Sequence, residues 1–174
     1  MSDIANVVDV EHDNGRLIEI GLTTVSIKDR AILQSYSLPI APDFDLSPEI
    51  SHLTGWTSAK LRKQGITKAE AIRRLAGYGF GNRLLVSDAS DEIPFLEEAL
   101  MSRFSQHRLN VSILFSLTTG KDINLGLEAM LAACGLNLEG RLHSAADDSR
   151  NIARLFLLLL PEQRLLEPAQ SPIG

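Results

Sequence analysis

Two carboxylates, Asp9 and Glu11, stand two residues apart in a valine-rich stretch near the start of the chain. Valine favours extended structure, and side chains alternate between the two faces of a strand, so Asp9 and Glu11 share one face. Two acids that lose hydration side by side repel each other, and a cation between them removes the repulsion. This stretch therefore indicates a metal site. An edge strand whose acids face water is the alternative.

A third carboxylate, Asp148, lies within the apolar stripe of the last predicted helix. The stripe consists of Ala145, Ile152, Leu155 and Leu159. The neighbouring Asp147 is explained by the start of the helix, where it is predicted to form a capping box with Ser144. Asp148 has no such explanation, and a carboxylate that faces the core needs a cation, a donor or a proton. His143 precedes the helix at a point where its ring can reach both solvent and Asp148.

Three segments of the chain, in order, resemble the motifs of one enzyme family. They are Asp9-Val10-Glu11, the acidic cluster around Asp91, and residues 143–153, which read His-Ser-Ala-Ala-Asp-Asp-Ser-Arg-Asn-Ile-Ala. Together they resemble the DnaQ-like (DEDDh) 3'-5' exonucleases, and residues 18–21 and 53–55 are similar to the same family. The segment that leads to His143 most resembles the exoribonuclease branch.

The resemblance implies a hydrolase that removes terminal nucleotides from the 3' ends of single-stranded RNA or DNA by a two-metal mechanism. Asp9, Glu11 and Asp148 would hold the metal ions, and His143 would deprotonate the attacking water. Oxygen ligands without cysteine favour Mg²⁺ or Mn²⁺. Two such ions, about 3.5–4 Å apart, activate a water and stabilise the charge on the entering and leaving oxygens.

A fourth metal-binding acid is expected from the middle motif, where the usual aromatic-Asp ending is absent. Asp91 is predicted to supply it, because it opens a helix directly after a buried strand. Asp88 and Glu92 are the alternatives. This irregular motif leaves open a second hypothesis, a catalytically degenerate family member that binds nucleic acid or a partner protein.

Four residues are predicted to bind substrate, namely His12, Leu53, Thr54 and Trp56. Apolar and aromatic side chains in such sites stack on bases. Core packing is the alternative for Leu53 and Trp56, and an exposed hairpin position is the alternative for His12. A basic cluster (Lys60, Arg62, Lys63, Arg73 and Arg74) is either a phosphate-binding rim or, as we favour, a solvated helix face.

The order of the predicted elements indicates an α/β fold. Strands at residues 17–25 and 32–38 follow the first strand as a three-stranded meander, with a tight turn at Asp13-Asn14-Gly15. Helices then alternate with strands at 84–86 and 111–115. This order predicts a mixed five-stranded sheet with helices on both faces, the ribonuclease H-like architecture that the resemblance implies.

The length and composition of the chain predict one domain over residues 1–160, which the resemblance implies to be an exonuclease domain, followed by a loosely ordered tail at 161–174. The net charge of −5 excludes nucleic-acid binding by bulk positive charge. No apolar run approaches the roughly 20 residues of a membrane span, and no signal-peptide pattern is present, which predicts a cytoplasmic protein. The run from Leu155 to Leu160 carries more apolar surface than one helix face buries, which favours a homodimer.

Overall fold

The computed structural model describes residues 3–161, and within this range the chain forms five strands and seven helices. The strands are β1 (Ile4–Asp13), β2 (Arg16–Ser26), β3 (Ala31–Pro39), β4 (Leu84–Ser87) and β5 (Arg108–Asn110). The helices are α1 (Pro48–Thr54), α2 (Ser58–Gln64), α3 (Lys68–Gly77), α4 (Glu92–Leu100), α5 (Val111–Thr119), α6 (Leu127–Ala133) and α7 (Ala145–Leu159).

The strands form one mixed sheet in the order β3-β2-β1-β4-β5. Strand β2 is antiparallel to β1 and β3, whereas β4 is parallel to β1 and β5. The first hairpin turns at Asn14 and Gly15, whose φ angles of 50° and 75° are those that a tight hairpin turn requires. The predicted meander, the five-stranded mixed sheet and the α/β architecture are confirmed.

The fifth strand lies elsewhere than predicted. Residues 111–115, expected to be a strand, are the first part of helix α5, and β5 occupies the three residues before them. The side chain of Asn110 accepts a hydrogen bond from the backbone N–H of Ile113 and so begins the helix. Val111 and Phe115 are both buried, as residues one helical turn apart on one face should be.

Helices cover both faces of the sheet and divide the core into two main layers. On one face, α5, α6 and α7 pack against the sheet through residues that include Val7, Val86, Phe115, Met130 and Phe156. On the other face, α3 and α4 pack against it through residues that include Val8, Ile20, Leu22, Leu75 and Leu96. Strands β1 and β2 are therefore buried on both sides.

Most residues of helix α7 are buried. Leu155, Phe156, Leu157 and Leu159 are all buried, and Leu158 is half exposed. The expected surplus of apolar surface on this helix is therefore wrong, because the sheet and the helices beside it cover nearly all of it. The homodimer that this surplus suggested stays a prediction without that support.

The predicted C-terminal tail lies, apart from Pro161, outside the described residues. Among residues 3–161, no helix is long and apolar enough to cross a membrane. The cytoplasmic location stays a prediction.

Candidate active site

Strand β1 and helix α7 bring three of the predicted acids together. Asp9 is only 8% exposed and Asp148 only 5% exposed, whereas Glu11 is partly buried. This proximity depends on Gly21, which pairs with Asp9 across the β1–β2 ladder. A Cβ atom at position 21 would lie 1.7 Å from the carbonyl oxygen of Ala145. Only glycine allows the first turn of α7 to press against the sheet and place Asp148 beside the β1 acids.

Two groups of side chains in the described range have the spacing of metal ligands. In the first, one ligand atom from each of Glu11, His143 and Asp148 lies within 4.8 Å of the others. In the second, the same spacing joins carboxylate oxygens of Asp9, Asp88 and Glu92. Because Asp9 and Glu11 share one face of β1, the two groups form a single acidic centre, which we call the carboxylate site.

The acid that the middle motif brings to the site is not the predicted one, Asp91. Asp91 is exposed, stands at the N-cap of α4 without a side-chain capping bond, and belongs to neither group. Glu92, one residue later, begins the helix and turns inward, and Asp88 lies in the loop after β4. The two alternatives named from the sequence thus both reach Asp9, and Asp91 does not.

Burial raises the pKa values of the two acids in the first group, Glu11 and Asp148. The pKa of Glu11 rises from 4.5 to about 7, because burial and the charges of Asp148 and Glu19 outweigh the opposing charge of Arg141. Burial likewise raises the pKa of Asp148 from 3.8 to about 6, although the backbone N–H of His143 opposes the rise. These acids therefore hold their protons more strongly than exposed carboxyls do.

The same effect extends to the three acids of the second group. Burial raises the pKa of Asp9 well above its usual value, and the charge of Asp88 adds to this rise. Burial also raises the pKa values of Glu92 and Asp88. Among residues 3–161, three carboxylate oxygens are buried without a hydrogen-bond donor: Asp9 Oδ2, Glu92 Oε2 and Asp148 Oδ1. Buried acceptors without donors are costly, and a bound cation would satisfy them.

His143 occupies a strained position at the edge of the site. Its φ of 61° lies in the left-handed region, which residues other than glycine seldom adopt. Its backbone N–H donates a 2.7 Å hydrogen bond to Asp148 Oδ2, which ties the two residues together. The ring is partly buried beside Glu11 and Asp148, where a neutral imidazole can accept a proton.

The predicted capping box at the start of α7 is wrong. Ser144 is the N-cap residue, but its side chain makes no capping hydrogen bond. Asp147 instead accepts a 3.0 Å hydrogen bond from the backbone N–H of Arg141. Asp147 therefore shapes the loop that precedes the helix, while its place in the first turn still suits the helix dipole.

A cavity of about 350 Å³ lies next to the carboxylate site. Its lining includes two of the residues predicted to bind substrate, Thr54 and Trp56, together with Glu19, Arg141 and Ser144. The Thr54 hydroxyl donates to the carbonyl of Ile50, one turn earlier in α1. The hydroxyl proton of Thr54 is therefore used in a hydrogen bond within the helix.

The other two residues predicted to bind substrate, His12 and Leu53, are not part of this lining. Leu53 is 40% exposed at the end of α1. His12 is exposed within β1, directly after an irregularity in the β1–β2 pairing, and its ring centroid lies 5.0 Å from that of Phe95. Their contact with substrate stays a prediction.

The basic cluster is largely neutralised by acids. Arg62 pairs with Asp45, and both Arg73 and Arg74 pair with Glu70. These ion pairs agree with the solvated helix face favoured from the sequence. Of this cluster, Lys60 is among the residues that line the cavity.

Glu19 is a site residue that the sequence analysis did not single out. It pairs with Glu11 across the β1–β2 ladder and is 2% exposed. The signal was available, because cross-strand partners share one face of a sheet, so a buried Glu11 places Glu19 beside it.

Comparison with known proteins agrees with this geometry. A model of the RNase T exonuclease family matches residues 6–156, which is most of the chain. The chain therefore belongs to this exonuclease family, and the prediction of a DnaQ-like 3'-5' exonuclease is confirmed at the level of the family. No curated protein shows significant sequence similarity to the chain.

Solved structures with the same fold include three exonucleases. The nuclease domain of 3'hExo, a DEDDh family member bound to rAMP, is 19% identical with a TM-score of 0.78, over 89% of this chain and 90% of that one. A 3'-exonuclease that recognises the histone mRNA stem-loop is 18% identical with a TM-score of 0.78, over 89% and 80%. Exonuclease X in complex with 5' overhanging duplex DNA is 18% identical with a TM-score of 0.68, over 89% and 90%. At these identities the matches show a shared fold.

Proposed function

We propose that the chain is a metal-dependent exonuclease that hydrolyses the 3'-terminal phosphodiester bond of single-stranded RNA or DNA. The observation that carries this proposal is the carboxylate site itself. Five acids and one histidine meet where three buried carboxylate oxygens have no donor. Such a crowded set of acids is difficult to keep ionised without cations.

The residues present fit two divalent ions. Carboxylates of Glu11 and Asp148 would hold one ion, with the ring of His143 beside it, and carboxylates of Asp9, Asp88 and Glu92 would hold the other. These ligands are hard oxygens, which favour Mg²⁺ or Mn²⁺. When bound, the two ions would supply an activated water and stabilisation of the charge that develops on the phosphate.

The protein's own groups have distinct roles in this proposal. Asp9 and Asp148 are fixed by burial in β1 and α7, so they hold the geometry of the site. His143 accepts the proton of the attacking water, and the bond from its backbone to Asp148 fixes its position. This bond is made by the backbone N–H of His143 and not by its ring, so it leaves the imidazole free to act on the water.

The acids of the middle motif bear on the second hypothesis, a degenerate binding module. That hypothesis rested on the absence of a regular middle motif. Asp88 and Glu92 supply two carboxylates at this position, so the reason for expecting a degenerate site is removed. We accordingly assign the role first expected of Asp91 to Glu92, with Asp88 beside it.

The proposal is tested with 5'-labelled single-stranded RNA and DNA oligonucleotides, incubated with Mg²⁺, Mn²⁺ or EDTA. The expected product is a ladder that shortens from the 3' end with either metal and is absent in EDTA. The variant Asp9→Asn serves as the control for a contaminating nuclease, since it removes one charge of the site while nearly keeping the shape of the side chain. Cleavage that persists in EDTA or in Asp9→Asn, or that begins within the oligonucleotide, contradicts the proposal.

A further inference from the structure

Glu19 is a buried carboxylate whose hydrogen bonds are both made to neutral donors. Its Oε2 accepts a 2.8 Å bond from the indole Nε1 of Trp56, and its Oε1 accepts a 2.6 Å bond from the hydroxyl of Ser37. Among the residues that the structure describes, no lysine or arginine forms an ion pair with it. A buried charge without a cation costs stability, so stability alone does not explain why this position is acidic.

The position of Glu19 links the cavity to the carboxylate site. It lies opposite Glu11 on the same face of the sheet, and its charge raises the pKa values of both Glu11 and Asp148. On its other side it lines the cavity together with Trp56. The volume of about 350 Å³ is near the lower end of the range for small-molecule sites, which suits a single nucleotide.

The bond from Trp56 holds the indole ring in one orientation. A tryptophan side chain turns about two torsions, and a charge-assisted hydrogen bond at Nε1 fixes both when the acceptor is itself immobile. Glu19 is such an acceptor, because it stands in the middle of a buried strand. Lys60 and Arg141 belong to the same lining, and each carries a cationic group that suits a phosphate.

We infer that Glu19 is a positioning residue, which fixes Trp56 as the wall against which the 3'-terminal nucleotide is held. This inference rests on the proposed function for the identity of the ligand. The hydrogen bond between Glu19 and Trp56 does not depend on catalysis, so it can be tested separately.

The test uses Trp56 as a reporter, since it is the only tryptophan of the chain. Glu19→Leu removes the acceptor at similar size, and Glu19→Gln restores an acceptor without the charge. Acrylamide quenching of the fluorescence is measured in EDTA on the free protein and with 5'-AMP. Quenching of the free protein should increase in Glu19→Leu and return to the wild-type level in Glu19→Gln. Bound 5'-AMP should protect Trp56 in the wild type and in Glu19→Gln.

Kinetics on a single-stranded oligonucleotide provide the second readout. In Glu19→Leu we expect KM to increase roughly tenfold, because a lost hydrogen bond weakens nucleotide binding. Glu19→Gln loses the same charge beside Glu11 and Asp148, so the difference between the two variants reports the hydrogen bond. Glu19→Gln should recover most of this loss. Trp56→Phe, which leaves Glu19 in place, should also raise KM roughly tenfold and covers the case in which Glu19→Leu fails to fold.

The outcomes separate the two proposals. Unchanged quenching and unchanged KM in Glu19→Leu overturn the positioning role, as does a Glu19→Gln variant as impaired as Glu19→Leu. If the wild-type protein cleaves no oligonucleotide, the proposed function fails. In that case the quenching measurements still decide whether Glu19 positions Trp56, because they need no turnover.

Discussion

Replacing Asp148 with asparagine is expected to remove activity and yet stabilise the metal-free protein at pH 8. In the folded protein the pKa of Asp148 is raised from 3.8 to about 6, chiefly by burial. Ionising this carboxyl therefore costs the folded state about 3 kcal/mol more than it costs the unfolded chain. Asparagine carries no charge, and its side-chain oxygen can still accept the backbone N–H of His143.

The sign of this effect depends on pH. A carboxyl whose pKa is raised by folding binds more protons in the folded state, so stability falls as pH rises from the unfolded value of 3.8 to the folded value of about 6. Below pH 4 the folded wild type has a neutral Asp148 and resembles the variant. Above pH 7 it carries the full penalty. We expect Asp148→Asn to gain about 1–3 kcal/mol at pH 8 and close to nothing at pH 4.

Urea unfolding in EDTA, followed by circular dichroism at pH 4 and pH 8, measures this difference. Asp91→Asn is the matched control, because Asp91 is exposed and outside both ligand groups, and it should stay within about 0.5 kcal/mol of wild type at both pH values. Saturating Mn²⁺ should favour the wild type, which binds the ion more tightly. An Asp148→Asn variant that is less stable than wild type at pH 8, or equally stabilised at both pH values, refutes the reasoning.

Three further variants test other parts of the site. His143→Ala should lower the rate by about 10²–10⁴-fold, while metal affinity in calorimetry stays near wild type; a large loss of affinity would make His143 a ligand. Glu92→Gln should abolish metal-dependent cleavage and Asp91→Asn should not, and the reverse result would restore the assignment made from the sequence. Gly21→Ala should destabilise the protein by at least about 3 kcal/mol in urea unfolding, because its methyl group would overlap the Ala145 carbonyl, and a wild-type midpoint would show that α7 can move aside.

The sequence alone was sufficient to locate features that follow from a local pattern of residues. Asp148 stood in an apolar stripe, and the structure buries it at the carboxylate site. The pair Asp9 and Glu11 followed from the alternation of side chains in a strand, and the hairpin after them followed from Asn14 and Gly15. In each case one local rule, independent of tertiary contacts, determined the outcome.

The sequence was insufficient to identify the middle-motif acid, because a shift of one residue changes which side chain faces the site. Asp91 and Glu92 are neighbours, and the choice between them depends on where α4 begins and which way its first turn faces. Glu92 precedes the buried Leu96 by four residues and so lies on the buried face of α4, whereas Asp91 precedes the helix. The segment 111–115 was misassigned for another reason. Its β-branched and aromatic residues favour a strand, but the cap at Asn110 and the packing of Phe115 make it a helix.

The residues of the carboxylate site stand on parts of the fold that differ in how readily they open. Asp9, Glu11 and Asp148 belong to β1 and α7, whose exposure requires that the whole core come apart. Asp88 lies in a short loop held by side-chain hydroxyls, with Ser112 donating to its carbonyl and Ser87 to that of Ala89. Amide hydrogen exchange of this loop can thus proceed by local opening, whereas exchange in β1 must await global unfolding. Local opening of this loop would move Asp88 away from Asp9 while β1 and α7 stay folded.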